Sequence, residues 1–424
     1  MIKKQSDFVR SILVLTSGTV LAQAIGYLIS PILTRIYSTE EMGDLGVYLR
    51  AVGFIAALAT ARYEMSLPLP KNDTHSFLLY RISLKIAVFM LLACSLIGAI
   101  YLTTQPFSLN QLLFVVLTLL SAGFMILINL GTNWSIRKKQ FRMISISKML
   151  NSTISNGLRW WFGILNMGSL GLLYASLIGF VVSSFSFLKD YGKLNKEFHH
   201  LKSKRKSAVL IKEYRQFPLV SLPHVLLDLG RDLLIATLII SFFSKDIFGS
   251  FNHSYTILKL PLVVIGTSIG QVFFNKCSEM VNNGERIDLL LAKTLKLLLV
   301  LAILPFAVIF FFGENLFSFI FSEAWAESGY FSEIMAVWLL FNFLNSPVSS
   351  IPMILNRQKE YFILGLISTL MQLIGFGVLP LVIGTEKDDF IFILWIVSIS
   401  QAIYLIFITL ITVYYAKLGV KKMR

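Results

Sequence analysis

Twelve apolar segments dominate this sequence, and each is long enough to cross a bilayer as an α-helix. They cover residues 12–33, 45–67, 78–102, 109–134, 148–165, 168–188, 217–241, 247–274, 289–312, 331–355, 362–383 and 390–415. The chain is 56% hydrophobic and 14% charged, whereas a soluble protein is about one quarter charged. We therefore predict an all-α polytopic membrane protein with twelve transmembrane helices.

Basic residues set the orientation of these spans. If both termini lie inside, thirty Lys and Arg residues fall in inner segments and three, namely Arg35, Lys245 and Lys387, in outer loops. The positive-inside rule then places the termini and the linker 189–215 in the cytoplasm, and 322–328 outside. The net charge of +15 thus reflects topology and excludes nucleic-acid binding as a function. The linker either holds anionic membrane lipids or is a plain connector.

The two halves of the chain repeat. The segment 37–43, Tyr-Ser-Thr-Glu-Glu-Met-Gly, precedes span 2, and 243–249, Phe-Ser-Lys-Asp-Ile-Phe-Gly, precedes span 8. The order Arg-x-Lys-x-aromatic follows spans 4 and 10, at 137–141 and 357–361. We predict two six-helix lobes, 1–188 and 216–424, related by a parallel pseudo-two-fold repeat and joined by the linker. Ser38 is expected to cap span 2, with Glu41 completing a capping box.

The span 217–241 is apolar but carries His224, Asp228, Arg231 and Asp232 on one helical stripe. A charge at the centre of a membrane helix costs roughly 2.5–3.5 kcal/mol on insertion scales. The stripe is therefore expected to face protein or a water-filled cavity. Its two carboxylates are candidates for exchanging a proton during a transport cycle.

Other spans also carry polar groups. Arg50 and Glu64 end a small-residue stripe on span 2, and Arg159 ends a Ser/Asn stripe on span 5. Internal ion pairing, for example of Arg231 with Asp228, is the alternative to a ligand-binding role for the cations. The remaining polar candidates for a cavity lining are Gln23 on span 1 and Asn252, Tyr255 and Lys259 on span 8. A Ser/Thr/Gly stripe such as that of span 1 is also typical of helix packing.

Motifs of catalysis are absent from the sequence. It has no Gly-rich dinucleotide loop, no phosphate-binding loop and no His/Cys spacing typical of a metal site. Cys94 lies in an apolar span and Cys277 at a span end, so both are expected to be free thiols. We predict a protein that is not an enzyme and needs neither cofactor nor metal.

The first 75 residues resemble one transporter family. Leu15-Thr16-Ser17-Gly18-Thr19, then 30–38 (Ser-Pro-Ile-Leu-Thr-Arg-Ile-Tyr-Ser) with Gly43, and Arg62-Tyr63-Glu64 before Leu69-Pro70-Lys71-Asn72-Asp73 are similar to Wzx-type polysaccharide flippases. These belong to the multidrug/oligosaccharidyl-lipid/polysaccharide exporter superfamily. The resemblance implies two six-helix lobes in a V, with helices 1, 2, 7 and 8 lining a central cavity.

The resemblance also implies a function. It implies alternating access that carries an undecaprenyl-diphosphate-linked repeat unit, as in O-antigen and lipopolysaccharide synthesis, to the periplasmic leaflet of the bacterial inner membrane. Polysaccharide polymerase and other glycan assembly proteins are the implied partners. A cation-coupled multidrug exporter of the same superfamily and a non-transporting scaffold of a glycan assembly complex are the alternatives.

A diphosphate substrate needs fixed cations along its path, because an unpaired anion cannot cross a low-dielectric core. We assign this role to Arg50, Arg159, Arg231 and Lys259, since Arg binds phosphate oxygens in a bidentate fashion. The neighbouring polar candidates for the glycan are Gln23, Asn252 and Tyr255. The candidates for proton or cation coupling are Asp228, Asp232, Glu64 and His224.

Overall fold

The computed structural model describes residues 2–104, 106–188, 191–192, 196, 204–262, 266–349, 351–355 and 357–418. Within these ranges the chain forms helices and turns and no β-strand. Most of the first half of the predicted linker, His199 and His200 included, lies outside the described residues, as do Met1 and the last six residues. The expected cytoplasmic position of the termini and linker therefore stays a prediction.

Seven α-helices of the first half of the chain lie wholly within the described residues. They are α1 Ile2–Leu33, α2 Thr39–Ala59, α3 Asp73–Thr104, α4 Leu109–Arg137, α5 Phe141–Ile164, α6 Gly168–Phe185 and α7 Lys204–Glu213. The first six correspond in order to the six predicted spans, with differences at their ends, and α7 occupies the end of the predicted linker. A short 3-10 turn, Tyr63–Ser66, lies between α2 and α3.

The second half begins with a π-helical turn, Phe217–Ser221, that contains Pro218. The helices that follow are α8 Leu222–Phe242, α9 Lys245–Leu258, α10 Thr267–Asn282, α11 Asp288–Phe321, α12 Ala326–Asn345, α13 Ile351–Ile354, α14 Gln358–Gly377, α15 Leu379–Ile383 and α16 Lys387–Leu418. Seven stretches of the described chain are long and apolar enough to cross a membrane by length and composition alone.

Several predicted spans are interrupted. Span 8, predicted as one helix, is two helices, α9 and α10, because Pro261 lacks an amide hydrogen and disfavours helix continuation. Span 10 likewise divides into α12 and α13 around Pro347. Span 9 does not end at Phe312; that residue is a non-helical point within α11, which continues to Phe321.

The prediction for the end of span 2 was wrong in a way that affects the candidate site. The helix stops at Ala59, and Ala61 and Arg62 adopt left-handed backbone conformations with φ of 48° and 60°. The chain turns there, so Glu64 does not continue the helical stripe of Arg50. Hydrophobic periodicity alone missed this turn, since no glycine or proline lies between residues 59 and 67 to mark it.

The chain forms two compact units. Unit 1 comprises Met1–Tyr37 and Asp44–Leu233, and unit 2 comprises Ser38–Gly43 and Leu234–Arg424. The helices α2 and α8 each contribute residues to both units. The predicted lobe boundaries at 188 and 216 stay a prediction.

In unit 2 the two copies of the repeated segment pack against each other. A Cβ added at Gly43 would lie 2.7 Å from the carbonyl oxygen of Lys245, and one at Gly249 would clash with the carbonyl oxygen of Thr39. The hydroxyl of Thr39 also donates to the Asp246 carboxylate. Each glycine thus meets the residue four positions before the other glycine, which is the relation expected of a local two-fold repeat.

The predicted capping box at the start of α2 is confirmed. The Ser38 amide donates to Glu41 Oε2 at 2.9 Å, and the Glu41 amide donates to Ser38 Oγ at 3.2 Å. The matching residue of the second repeat, Ser244, accepts a hydrogen bond from the Ile247 amide at 3.1 Å. Capping satisfies amide groups that have no partner inside the helix.

Exposed positions allow the orientation to be tested. Ser328 is fully buried and unsuitable for labelling, whereas Ala324 in the predicted outer loop and Ala208 in α7 are exposed. In a variant without Cys94 and Cys277, we expect Ala324→Cys to react with an impermeant thiol reagent added outside. Ala208→Cys should react only after permeabilisation, because α7 belongs to the basic inner linker. Labelling of Ala208→Cys in sealed cells would contradict the orientation.

Candidate functional site

In unit 1, Arg159 on α5 is a cation with neutral partners. Its Nη1 donates to Asn156 Oδ1 at 3.1 Å, and its Nη2 donates to Ser176 Oγ of α6 at 2.9 Å. Its Nε is buried and has no hydrogen-bond partner. No carboxylate of the described chain forms an ion pair with it. A buried charge in this state is costly unless a ligand supplies the missing anion.

Two tyrosines stand close to the same guanidinium. The phenols of Tyr37 and Tyr48 are near enough to interact with it electrostatically. Tyr37 also donates to the backbone oxygen of Arg159 at 2.7 Å. Phenols are neutral near pH 7, so neither tyrosine cancels the charge. Tyr48 lies on α2, two residues before Arg50, which itself donates to the Gly46 carbonyl at 3.0 Å.

The polar stripe of span 1 is used largely for helix packing. Ser152 of α5 donates to the Ala22 carbonyl of α1, and Lys148 Nζ donates to Thr19 Oγ1 at 3.0 Å. Gly26 faces the Asn156 amide. These contacts fix α1 against α5, as the alternative interpretation of this stripe expected. Gln23, one position after Ala22, is partly buried on the same helix.

The predicted charged stripe exists on α8, but its cation is already paired. Arg231 lies 3.0 Å from a carboxylate oxygen of Asp232 and 3.7 Å from one of Asp228. His224 Nδ1 lies 3.7 Å from Asp228. The side chains of His224 and Asp228 are 65% and 57% exposed, whereas that of Arg231 is 19% exposed. The structure therefore gives Arg231 two carboxylate partners.

In unit 2, Lys259 is a cation over an aromatic surface. It follows the last residue of α9, and its Nζ lies 4.0 Å from the ring centroid of Tyr255. The Tyr255 ring stacks on Phe251, with centroids 5.8 Å apart. Asn252, three residues before Tyr255, shares this side of the helix. In the part of the chain that the structure describes, Lys259 has no acidic partner.

Glu64 lies in the 3-10 turn that follows α2. It is 1% exposed, and its Oε1 is 3.4 Å from Arg62 Nη1. Its Oε2 is buried without a hydrogen-bond partner, as are Thr60 Oγ1 and Arg62 Nε. Burial raises the pKa of Glu64, against the opposing effects of Thr60 and Arg62. Each unsatisfied buried polar group costs about 1–3 kcal/mol, so this turn is locally unfavourable.

Arg137, the last residue of α4, is engaged by other partners than Glu64. Arg137 Nε donates to Asp73 Oδ1 at 2.8 Å, and its Nη1 reaches the carbonyl oxygens of Leu67, Pro68 and Pro70. The guanidinium is thus committed to the loop between the 3-10 turn and α3. These hydrogen bonds fix the conformation of the loop. Within the described residues, the ion-pair partner of Glu64 is therefore Arg62.

One buried polar residue escaped the sequence-based prediction. His253 on α9 is 9% exposed, and its ring lies 4.5 Å from that of Trp325 and 4.6 Å from that of Phe321. Its Nε2 has no hydrogen-bond partner. A single histidine in an apolar segment gives no signal that distinguishes a core position from a site.

Comparison with known proteins supplies the family. A family described as polysaccharide biosynthesis protein matches residues 32–329, well over half of the chain. The chain belongs to this family of polysaccharide biosynthesis proteins. No curated protein matches the sequence. Membership of this family confirms the resemblance to polysaccharide flippases that was inferred from motifs in the first 75 residues.

Solved structures share the fold of this family member. An inward-facing multidrug resistance MATE transporter of the MOP superfamily is 14% identical, with 94% of this chain and 96% of that chain covered and a TM-score of 0.68. The lipid II flippase MurJ in an inward closed conformation is 16% identical, with 96% and 90% covered and a TM-score of 0.68. A MOP superfamily transporter from Pyrococcus furiosus is 13% identical, with 97% and 96% covered and a TM-score of 0.59.

At such identities the likeness shows the fold alone. The predicted class, an all-α polytopic membrane protein, is confirmed, and the chain shares its fold with the MATE transporter and MurJ. The polysaccharide biosynthesis protein is therefore a multi-pass membrane protein whose fold is shared with transporters. The roles assigned to single residues stay predictions.

The environment of Glu64 leads to a prediction about pH. Because its pKa is raised by folding, the folded state retains the proton to higher pH than the unfolded chain does. The resulting stabilisation is present below the ordinary Glu pKa of about 4.3 and is lost as pH rises through the raised pKa. Glu64→Gln keeps a neutral side chain at every pH. We expect the melting temperature of Glu64→Gln in detergent to rise relative to that of the wild type as pH increases from 4 to 8.

The control for this measurement is Glu323→Gln, which changes an exposed carboxylate. Its melting curve should run parallel to that of the wild type across the same pH range. If the Glu64→Gln curve also runs parallel, burial does not perturb this carboxyl group.

Proposed function

We propose that this protein is a flippase that moves an undecaprenyl-diphosphate-linked oligosaccharide repeat unit from the cytoplasmic to the periplasmic leaflet of a bacterial inner membrane. The cycle is alternating access, and the product serves surface polysaccharide synthesis, as for an O-antigen or lipopolysaccharide. A polysaccharide polymerase and other glycan assembly proteins are the proposed partners. Family membership and the fold support the transport of a lipid-linked glycan in general terms.

One observation carries the proposal for the substrate. Arg159 in unit 1 and Lys259 in unit 2 are cations without carboxylate partners in the described chain, and each stands beside aromatic side chains. A diphosphate can supply the missing negative charge, and aromatic faces suit the apolar faces of sugar rings. A site for cationic drugs requires the opposite polarity, which disfavours the multidrug alternative.

The cationic candidates do not contribute equally. Arg159 retains an unused buried donor at Nε, and its fork geometry matches phosphate oxygens. Arg50 is retained as a second diphosphate ligand in unit 1. Arg231 is a weaker candidate ligand than Arg159 or Arg50, because Asp228 and Asp232 already neutralise it. Gln23, Asn252 and Tyr255 remain the proposed glycan contacts.

The substrate proposal predicts the outcome of charge removal. We expect Arg159→Ala and Lys259→Ala each to reduce export of surface glycan about ten- to hundredfold, the equivalent of losing one charged hydrogen bond worth about 1.5–3 kcal/mol. Arg159→Lys should retain part of the activity. Arg35→Ala is the matched control, since Arg35 is exposed and bonds the Pro31 carbonyl. Normal export by the Arg159→Ala, Lys259→Ala double variant at equal expression would exclude this role.

We assign proton coupling to Glu64 ahead of Asp228, Asp232 and His224. Its carboxyl group is enclosed, has a free oxygen and has its pKa raised by burial, so protonation changes a local charge that solvent does not screen. The carboxylates on α8 are paired with Arg231, and Asp228 is more than half exposed. Their protonation is therefore worth less to a conformational equilibrium.

The coupling assignment can be tested in proteoliposomes with a fluorescently labelled undecaprenyl-diphosphate saccharide as the probe. Glu64→Gln should flip the probe at a rate that no longer depends on an imposed pH gradient. The Asp228→Asn, Asp232→Asn double variant should keep that dependence. If Glu64→Gln keeps the pH dependence and the Asp228→Asn, Asp232→Asn double variant loses it, the coupling role belongs to the carboxylates of α8.

A further inference from the structure

The short helix α7 is fixed to unit 1 by one of its faces. Leu210 is 2% exposed and belongs to a buried apolar cluster with Tyr63, Leu78, Leu79 and Ile82. The hydroxyl of Tyr63 donates to the Ile211 carbonyl at 3.1 Å. Since Tyr63 begins the 3-10 turn that holds Glu64, α7 is joined directly to that turn.

The opposite face of α7 is basic and uncovered. Arg205, Val209 and Lys212 follow a spacing of four and three residues, so they form one helical stripe, and all three are exposed. Val209 is 58% exposed, which is unusual for an apolar side chain that faces only water. Arg215, just after the helix, extends the stripe. Arg205, Lys212 and Arg215 form no ion pair with a carboxylate in the described ranges.

The neighbouring helix α3 shows where this stripe lies relative to the membrane. The surface of α3 carries Arg81 and Lys85, and then becomes apolar, with Val88 and Phe89 exposed by 52% and 68%. Ile82, which belongs to the same buried cluster as Leu210, is six residues before Val88, about 9 Å along the helix at 1.5 Å per residue. The cluster that fixes α7 therefore lies within about 9 Å of the point where the exposed surface of α3 becomes apolar.

We infer that α7 is a binding surface for anionic lipid headgroups, and that lipid binding steadies the Glu64 turn through Leu210 and Tyr63. A basic stripe with an exposed apolar residue at the membrane boundary is the arrangement that binds acidic lipids. The inference is separate from the substrate proposal, because it depends on membrane insertion and not on what is transported.

The test uses the purified full chain without Cys94 and Cys277, with an environment-sensitive fluorophore on Ala208→Cys, in nanodiscs. We expect a blue shift of the emission in discs that contain phosphatidylglycerol, relative to discs of phosphatidylcholine alone. Salt at 1 M should reduce the shift, since the Debye length falls from about 10 Å at 0.1 M to about 3 Å. The triple variant Arg205→Glu, Lys212→Glu, Arg215→Glu should lose it.

A matched control reverses three other exposed charges on the same predicted side: Lys71→Glu, Lys139→Glu and Arg142→Glu. It has the same net charge as the α7 variant and should keep the shift. Equal emission in both lipids, or equal loss of the shift in both triple variants, would overturn the inference, because general attraction to the membrane would then explain the signal.

The connection to the Glu64 turn has its own readout. Met65 in the 3-10 turn is 42% exposed, so Met65→Cys can be labelled with a thiol reagent. We expect slower labelling in phosphatidylglycerol discs and loss of this lipid effect in Tyr63→Phe, which should still show the Ala208 shift. Labelling that is independent of lipid in the wild type would refute the connection. No glycan is present, so a failure here leaves the flippase proposal intact.

Discussion

The physical constraint behind this structure is that a charge within an apolar span must find a partner or a polar path. The described chain meets it in two ways. Arg231 is surrounded by the carboxylates of Asp228 and Asp232, so its charge is cancelled within one helix. Arg159 and Lys259 are held by hydroxyl, amide and aromatic groups, which orient a cation without cancelling it. A cation with carboxylate partners is therefore structural, whereas a cation with neutral partners can still bind an anion.

Neutral polar groups in the apolar helices also have protein partners. Thr19 and Ala22 of α1 are bound by Lys148 and Ser152 of α5, so the stripe that suggested a cavity mainly joins two helices. Gly43 and Gly249 serve backbone contact in unit 2, where any side chain would strike a carbonyl group. Small and hydroxylated residues in membrane helices therefore report close packing more often than ligand binding.

Glu64, the residue that we propose for proton coupling, lies in a locally strained part of the chain. Two consecutive left-handed residues end α2 and carry the chain into a turn whose polar atoms are incompletely satisfied. Arg137 binds the loop that follows this turn, and Tyr63 ties the turn to α7, which allows an unfavourable arrangement to persist. A buried carboxyl group in such a setting responds to protonation with a larger free-energy change than an exposed one does.

The sequence by itself determined the helical membrane class, the approximate positions of the apolar helices and the capping box at Ser38, because these depend on local hydrophobicity and short-range hydrogen bonds. It also identified Arg159 and Lys259 as cations in apolar surroundings. Only the tertiary structure decided which cations are paired, that α2 stops at Ala59, and that α7 docks on the turn of Glu64. Pairing and docking depend on side chains far apart in the chain, and hydrophobic periodicity carries no information about those distances.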